Sequence, residues 1–125
     1  TIKNIIKIIK KNSANKKGNK ILILGLAYKK NIEDYRESAG IKIMNALLRK
    51  KYIVEYSDPF IDAGVPLIKP NKKSILLNKK NIRKFDCVVL VTDHDKFNYK
   101  LIMKHSKILV DTRNRVYRNK NYFPL

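Results

Sequence analysis

The sequence predicts an α/β domain, a three-layer α/β/α sandwich with a mainly parallel sheet. Three observations predict it. Ile21 to Leu24 and Cys87 to Val91 are apolar runs without the alternation of a half-solvated strand, so both belong to strands covered on two faces. Segments with helical spacing alternate with such runs, and that order builds parallel sheets. At 125 residues the chain has the size of one domain. A chain of that size buries enough surface to need no disulfide or metal staple.

Thr1 to Lys11 places Ile2, Ile5, Ile6 and Ile9 on one stripe with Lys3, Lys7 and Lys10 opposite, an amphipathic helix expected to pack on the domain. Residues 12–19 are a polar loop, so the boundaries expected are 1–19 for helix and linker and 20–125 for the main domain. The run at 21–24 ends at Gly25, and residues 25–37 form a polar loop. Ser38 suits a cap for a helix over 39–50, with Ile41, Met44, Leu47 and Leu48 on one stripe and basic residues at its end. Tyr52 to Tyr56 is a strand stopped by Ser57-Asp58-Pro59. Residues 60–77 are irregular, with a short strand near Ser74 to Leu77, and a short helix over 78–84 turns Ile82 and Phe85 inward. After the strand at 87–91, a helix over Asp95 to Lys104 carries Phe97 and Leu101. Ile108 to Val110 is the last strand, and residues 112–125 are a basic, aromatic tail with a solvated end.

Composition excludes whole classes. The longest uncharged stretch, Ile21 to Tyr28, is eight residues, far short of the roughly 18–20 of a membrane span. A lone cysteine, Cys87, excludes a disulfide framework and a multi-cysteine zinc site, and within an apolar strand its thiol is inert. His94 and His105 have no neighbouring ligand cluster, so no metal site is expected, and His94 is read as positioning a loop in preference to acid–base work. Lys and Arg number 29 against 10 acids, a net charge of +19. Such a charge suits a polyanion such as nucleic acid. Yet the lysines are spread over every segment and far outnumber the arginines, the residues that make bidentate forks. Compositional drift therefore explains most of the charge. The absence of a signal peptide points to the cytoplasm, and Thr1 in place of an initiator methionine points to a chain cut from something longer.

In a doubly wound sheet ligands sit beyond the carboxyl ends of the strands. That directs attention to Gly25 to Arg36, Ser57 to Pro59, Thr92 to Asp95 and Asp111 to Asn114. The first loop is long for a βα connection and has one glycine where a dinucleotide fingerprint needs three, so a Rossmann-like domain without NAD-binding glycines is expected. Gly25 and Ala27 there permit close approach, Tyr28 offers a ring to a base or ribose, and Lys29 and Arg36 offer cations to phosphate. Arg113 stands beyond the last strand. If that strand neighbours the first, Lys29 and Arg113 converge on one diphosphate; against this stands a reading in which Arg113 pairs with Asp111 or with an acid of the 33–37 cluster.

Gly-Leu-Ala-Tyr-Lys-Lys-x-x-x-Asp-x-Arg-Glu-Ser from Gly25 closely resembles the opening of the C-terminal domain of UDP-glucose/GDP-mannose dehydrogenases. Tyr56-Ser57-Asp58-Pro59, Asp86 to His94 and Val110 to Asn114 follow in the family's order, so the resemblance covers roughly residues 20–115. Thr92-Asp93-His94-x-x-Phe97-x-Tyr99 looks most like the UDP-N-acetylhexosamine 6-dehydrogenase branch, with UDP-N-acetylglucosamine or UDP-N-acetylmannosamine as substrate. The resemblance implies that Tyr28, Lys29 and Arg113 hold the UDP-sugar and that Arg36 reaches across a cleft towards NAD. It further implies that a separate N-terminal domain binds NAD and carries the nucleophilic cysteine for oxidation of the sugar C6 alcohol to a carboxylate. Those parts and the central helical region are absent from this sequence, which implies a chain that is catalytically silent by itself. Ala39 stands where the family often has proline. The runner-up is a small basic nucleic-acid-binding α/β protein; a remnant that has lost its ligand is the third reading.

Overall fold

The computed structural model describes residues 2–12, 19–62, 65–66, 68, 72–116 and 122–125. Nine elements follow in chain order: α1 (Ile2–Asn12), β1 (Lys20–Leu24), α2 (Ala39–Arg49), β2 (Ile53–Ser57), α3 (Lys79–Ile82), β3 (Cys87–Leu90), α4 (Tyr99–His105), β4 (Leu109–Asp111) and β5 (Tyr122–Pro124). The strands form one sheet in the order β2-β1-β3-β4-β5, every neighbouring pair parallel. The chain steps from β1 outward to β2 and then returns to continue from β3 in the other direction. The strand order therefore reverses between β1 and β3, where doubly wound folds open a crevice.

Alternate residues of each strand point to opposite faces, which is why the apolar runs lack a polar side. Ile21 and Ile23 of β1, Cys87 and Val89 of β3 and Val110 of β4 share one buried cluster with Ile5, Ile6 and Ile9 of α1 and with Ile41, Met44 and Leu47 of α2. Leu22, Leu24, Val88, Leu90 and Leu109 face the other way, onto Ile82, Phe85, Phe97 and Ile102. These are the two outer layers of the sandwich. The amphipathic first helix shares the core, and its lysines 3, 7, 10 and 11 stay exposed. Among the described residues no helix is long and apolar enough to cross a membrane.

Several expectations need correction. The tail contains a strand: β5 pairs with β4 through Leu109–Tyr122, Val110–Phe123 and Asp111–Pro124. Residues 117–121 of that tail lie outside the described residues, as do residues 13–18 of the first linker. The helix expected from Asp95 begins at Tyr99, capped by Asn98, and Phe97 is buried ahead of it while Ile102 is its buried core residue. In place of the strand near Ser74, the described residues show isolated bridging, Ser74 pairing with Tyr56. β4 does not neighbour β1, because β3 lies between them, so adjacent strands do not bring Lys29 and Arg113 together and the two face one another only across the β3 loop.

Candidate functional site

The loop after β1 is built against its neighbours before it meets any ligand. Gly25 has φ +98°, and a Cβ there would overlap Thr92 at the end of β3. A Cβ on Gly40, in the first turn of α2, would overlap the Gly25 carbonyl oxygen. Ala27 is buried, and its carbonyl accepts the Thr92 hydroxyl at 2.8 Å. The close approach expected of Gly25 and Ala27 is therefore made by Thr92, with α2 packed behind, and not by a bound molecule.

Asp58, at the end of β2, gathers the loops. Its Oδ2 accepts the backbone N–H of Leu26 at 2.7 Å and of Ala27 at 2.9 Å, and its Oδ1 accepts those of Phe60 at 2.7 Å and Ile61 at 3.2 Å. His94, beyond β3, adds its Nε2 to Oδ2 at 2.9 Å, and both side chains are fully buried. Burial pushes the Asp58 carboxyl up, but the bonds from His94, Ala27 and Phe60 outweigh it and hold the group below its ordinary range. The other ring nitrogen of His94, Nδ1, accepts the N–H of Asn31 at 2.8 Å. A nitrogen that accepts carries no proton, so His94 is the neutral tautomer with hydrogen on Nε2. The rings of Phe60 and Phe97 pack on it, with centroids 4.8 and 5.4 Å away.

Asn31 adopts φ +64°, a left-handed conformation that asparagine tolerates. Its amide donates to Asp95 Oδ2 at 2.8 Å, and the Asp95 N–H donates back to its Oδ1 at 3.0 Å. Those bonds anchor one end of the segment 28–31. Its other end closes on itself, the Tyr28 N–H donating to the Asp34 carbonyl at 2.6 Å. Between them Tyr28, 56% exposed, and Lys29 and Lys30 stand out to solvent. Arg36 is also solvent-facing and forks onto Asp34 through Nε and a terminal nitrogen. That bond, aided by the Arg36 N–H, holds the Asp34 carboxyl down at about 2.

On the β4 side Asp111 repeats the device. Its fully buried carboxylate accepts the N–H groups of Arg113, Arg115 and Val116 and the Tyr122 hydroxyl, folding residues 112–116 and tying them to β5. The Arg113 side chain, 54% exposed, meets Asp93 at 3.5 Å, and not Asp111 or the 33–37 acids expected as its alternatives. Arg115 reaches the Asp93 carbonyl at 2.9 Å and Asp95 Oδ1 at 2.9 Å, with its guanidinium 4.6 Å over the Tyr99 ring.

Tyr28 and Lys29 thus lie on one side of the β3 loop and Arg113 on the other. A chain of polar contacts joins them, from Asn31 through Asp95, Arg115 and Asp93 to Arg113. Of the expected site residues, Tyr28, Lys29 and Arg113 share this rim, and Arg36 stands at the far end of the first loop. The residues that build the rim, Asn31, Asp58, Asp93, Asp95, Asp111 and Arg115, were not singled out by sequence as its framework. Asp58 and His94 carried a signal, an acid and a histidine each directly beyond a buried strand. A separate cleft of about 500 Å³ opens beside Pro59, Ile75, Leu77 and Phe97, with Asp58 and Asp62 in its wall. Lys96 is its one cation among the described residues, whereas the rim at the β1–β3 reversal presents Lys29 and Lys30 outward beside acids already paired or hydrogen-bonded, and is the better phosphate site. Among the described residues no three His, Cys, Asp or Glu side chains gather as a metal site.

Residues 22–118 match the model of the UDP binding domain of the UDP-glucose/GDP-mannose dehydrogenase family. The UDP-N-acetyl-D-mannosamine dehydrogenase of Methanococcus vannielii is 32% identical over 108 residues, covering 80% of this chain and 24% of its own. The UDP-glucose 6-dehydrogenase of Rickettsia conorii is 33% identical over 108 residues, covering 78% and 24%. The solved UDP-D-ManNAc dehydrogenase of Pyrococcus horikoshii superposes with a TM-score of 0.70 at 25% identity, over 96% of this chain and 28% of its own. The chain spans about a quarter of the length of the relatives it matches.

Proposed function

From a chain that belongs to the UDP-glucose/GDP-mannose dehydrogenase family, matching its UDP binding domain, we propose that residues 20–125 hold the UDP of a UDP-sugar substrate and that residues 1–19 are the helix and linker leading into them. The observation that carries this reading is the rim at the β1–β3 reversal. There an exposed ring and cation, Tyr28 and Lys29, are mounted on fully buried supports, and the Arg113 fork stands across the β3 loop. Tyr28 bounds the uridine, and Lys29 and Arg113 neutralise the diphosphate by charge-assisted hydrogen bonds. UDP-N-acetylglucosamine or UDP-N-acetylmannosamine is the proposed substrate. The relatives named for N-acetylhexosamines support that choice, though one named for UDP-glucose matches equally well.

In the whole enzyme such a domain presents the sugar C6 alcohol for NAD-dependent oxidation to a carboxylate. The residues of this chain do not fit NAD itself. The first loop has one glycine, and Thr92 occupies the space beside it that a pyrophosphate would need. NAD, the reacting cysteine and the partner domains are accordingly assigned to the rest of the enzyme, with Arg36 as the one side chain here that reaches towards the cofactor. Cys87 does not serve as nucleophile, since burial pushes its thiol up to about 12. The chain alone is therefore expected to bind without reacting.

An amide-shift titration with UDP-N-acetylglucosamine at about 150 mM salt tests this reading. Shifts confined to 25–37 and 111–115 are expected, and Lys29→Ala and Arg113→Ala should each weaken binding by about 1.5–3 kcal/mol. Silence at these loops, together with salt-sensitive shifts on adding DNA, would replace it with the polyanion reading.

A further inference from the structure

Tyr28 and Lys29 are exposed and sit in a segment that closes on its own backbone at Asp34, so something must fix where that segment stands. Ala27 anchors its start, and within residues 28–31 the bond to a fully buried side chain is the one from the Asn31 N–H to His94 Nδ1. We infer that His94 is a positioning residue for the nucleotide loop. Asp58 fixes the ring through Nε2, the ring fixes Asn31 through Nδ1, and Asn31 sets the height of Tyr28 and Lys29 over the β1–β3 crevice. This rests on the UDP-binding reading above and adds to it a residue that touches no ligand.

The geometry supports this division of work. Asp58 already accepts four backbone N–H groups from the β1 and β2 loops, so those loops have anchors besides the histidine. Residues 28–31 lie outside that set. Asn31 holds a positive φ, and its side-chain bonds go to Asp95, which is itself solvent-exposed and shared with Arg115. His94 is pinned from every side. Phe60 and Phe97 pack on its ring, its carbonyl accepts the Tyr99 hydroxyl at 2.6 Å, and its own N–H bonds the Thr92 carbonyl. The segment is entered from Ala27, held by Asp58 and Thr92, and left at Ile32, which packs on the core. Between these ends the ring transmits the position of the strand ends through its bond to the Asn31 N–H.

The two nitrogens can be separated chemically. The Oδ1 of an asparagine at 94 occupies the place of Nδ1 and accepts the Asn31 N–H, but it cannot reach Asp58. The Nε2 of a glutamine occupies the place of the ring Nε2 and donates to Asp58, but it leaves the Asn31 N–H without an acceptor. Both substitutions cost stability, so a merely structural role predicts that they weaken binding alike. A positioning role predicts a split. His94→Gln should weaken UDP-N-acetylglucosamine binding by about three- to tenfold, while His94→Asn stays within about twofold of the parent.

The test is an amide-shift titration of the full chain and both variants with UDP-N-acetylglucosamine. A two-bond nitrogen–proton spectrum of the imidazole in the parent accompanies it. The parent is expected to show His94 as the Nε2–H tautomer, and only His94→Gln is expected to move the amides of residues 28–31 before ligand is added. Equal binding by the two variants, or an Nδ1–H or doubly protonated ring in the parent, overturns the inference while the UDP-binding reading stands. A parent chain that gives no shifts with the nucleotide sugar overturns both.

Discussion

Replacing Asp58 by asparagine is the sharpest test of how this site is built. An amide has one acceptor oxygen where the carboxylate has two. In its better orientation it keeps the Leu26, Ala27 and His94 donors at Oδ2 and turns its NH2 towards the Phe60 and Ile61 N–H groups at Oδ1. Ile61 retains the Asp58 carbonyl at 3.4 Å, and half-buried Phe60 can reach water, so one full buried-donor penalty is the upper bound on that side. The three retained bonds change from charge-assisted to neutral, a loss of about 1 kcal/mol each. The three bonds total about 3 kcal/mol, and a donor penalty of up to roughly 1–3 kcal/mol adds to it, so about 3 is the lower end of a loss that is a large share of the 5–15 kcal/mol typical of a domain. With a urea m-value of roughly 2 kcal/mol/M, the unfolding midpoint should fall by about 1.5 M or more at neutral pH. Asp86→Asn is the control: Asp86 accepts one backbone N–H, from Lys20, at the exposed end of the sheet, where Asp58 accepts four, and its effect should stay below about 1 kcal/mol. The pH dependence carries its own sign. The Asp58 carboxyl is lowered on folding, so its contribution is complete above the unfolded value of about 3.9 and disappears as pH falls through the folded one. The parent should therefore lose stability in acid more steeply than Asp58→Asn. A midpoint shift of less than about 0.5 M, or equal acid slopes, would show that the five bonds do not form the hub described.

Other outcomes follow from the same packing. Gly40→Ala ought to stabilise a helix by roughly 1 kcal/mol on propensity alone, but here the new Cβ overlaps the Gly25 carbonyl, so a net loss of about 1–3 kcal/mol is expected in thermal melts. A melting temperature at or above the parent's would refute that contact. His105 is buried, its Nδ1 has no hydrogen-bond partner among the described residues, and burial followed by Arg83, Lys79 and Lys104 lowers its pKa. The unfolded chain then takes up the proton first, so stability should decline as pH drops below about 6.5, and His105→Leu should flatten that decline. Unchanged slopes in the two proteins would argue against it. Arg115→Ala removes the Asp93 and Asp95 bonds and the stack on Tyr99; a cost of about 0.5–2 kcal/mol is expected, smaller at high salt. A cost independent of salt would leave the stacking and the carbonyl bond as the whole effect.

What could be seen in the sequence was whatever a local pattern dictates. β1 and β3 were legible because a strand covered on both faces must be apolar throughout, and α2 was legible from its stripe and the Ser38 cap. β5 was not, because Tyr122-Phe123-Pro124 ends a basic segment and ends on a proline. It becomes a strand through distant bonds, the Tyr122 hydroxyl to the Asp111 carboxylate and the Leu125 N–H to the Asp111 carbonyl. The start of α4 was misplaced for a related reason. Asp95 and Asn98 are both capable caps, and the choice falls to Asn98 because Asp95 is engaged by Asn31 and Arg115 while the His94 carbonyl holds Phe97 and Tyr99 in a turn. At the site, the exposed Tyr28 and Lys29 could be read from their loop. Of the supports beneath them, His94 could be read as positioning a loop, but its pairing with Asp58 could not, since the two are 36 residues apart and meet only when β1 inserts between their strands.

The acids of this chain pose a problem that the geometry resolves. In a protein of net charge +19, four of the 10 acids, Asp58, Asp93, Asp95 and Asp111, stand at the one edge proposed to receive a diphosphate. Left bare, they would repel it. None is bare. Asp58 and Asp111 are sunk beneath backbone N–H and hydroxyl donors, which hold their charge by hydrogen bonds directed into the protein. Asp93 and Asp95 are paired with Arg115, and Asp93 also with Arg113. The carboxylates spend their charge on folding three loops into one rim, and the lysines of residues 29 and 30 are left pointing outward. A high net charge therefore says little about where an anion binds. At the crevice the sign of the field depends on which charges the backbone has already satisfied, and here those are the negative ones.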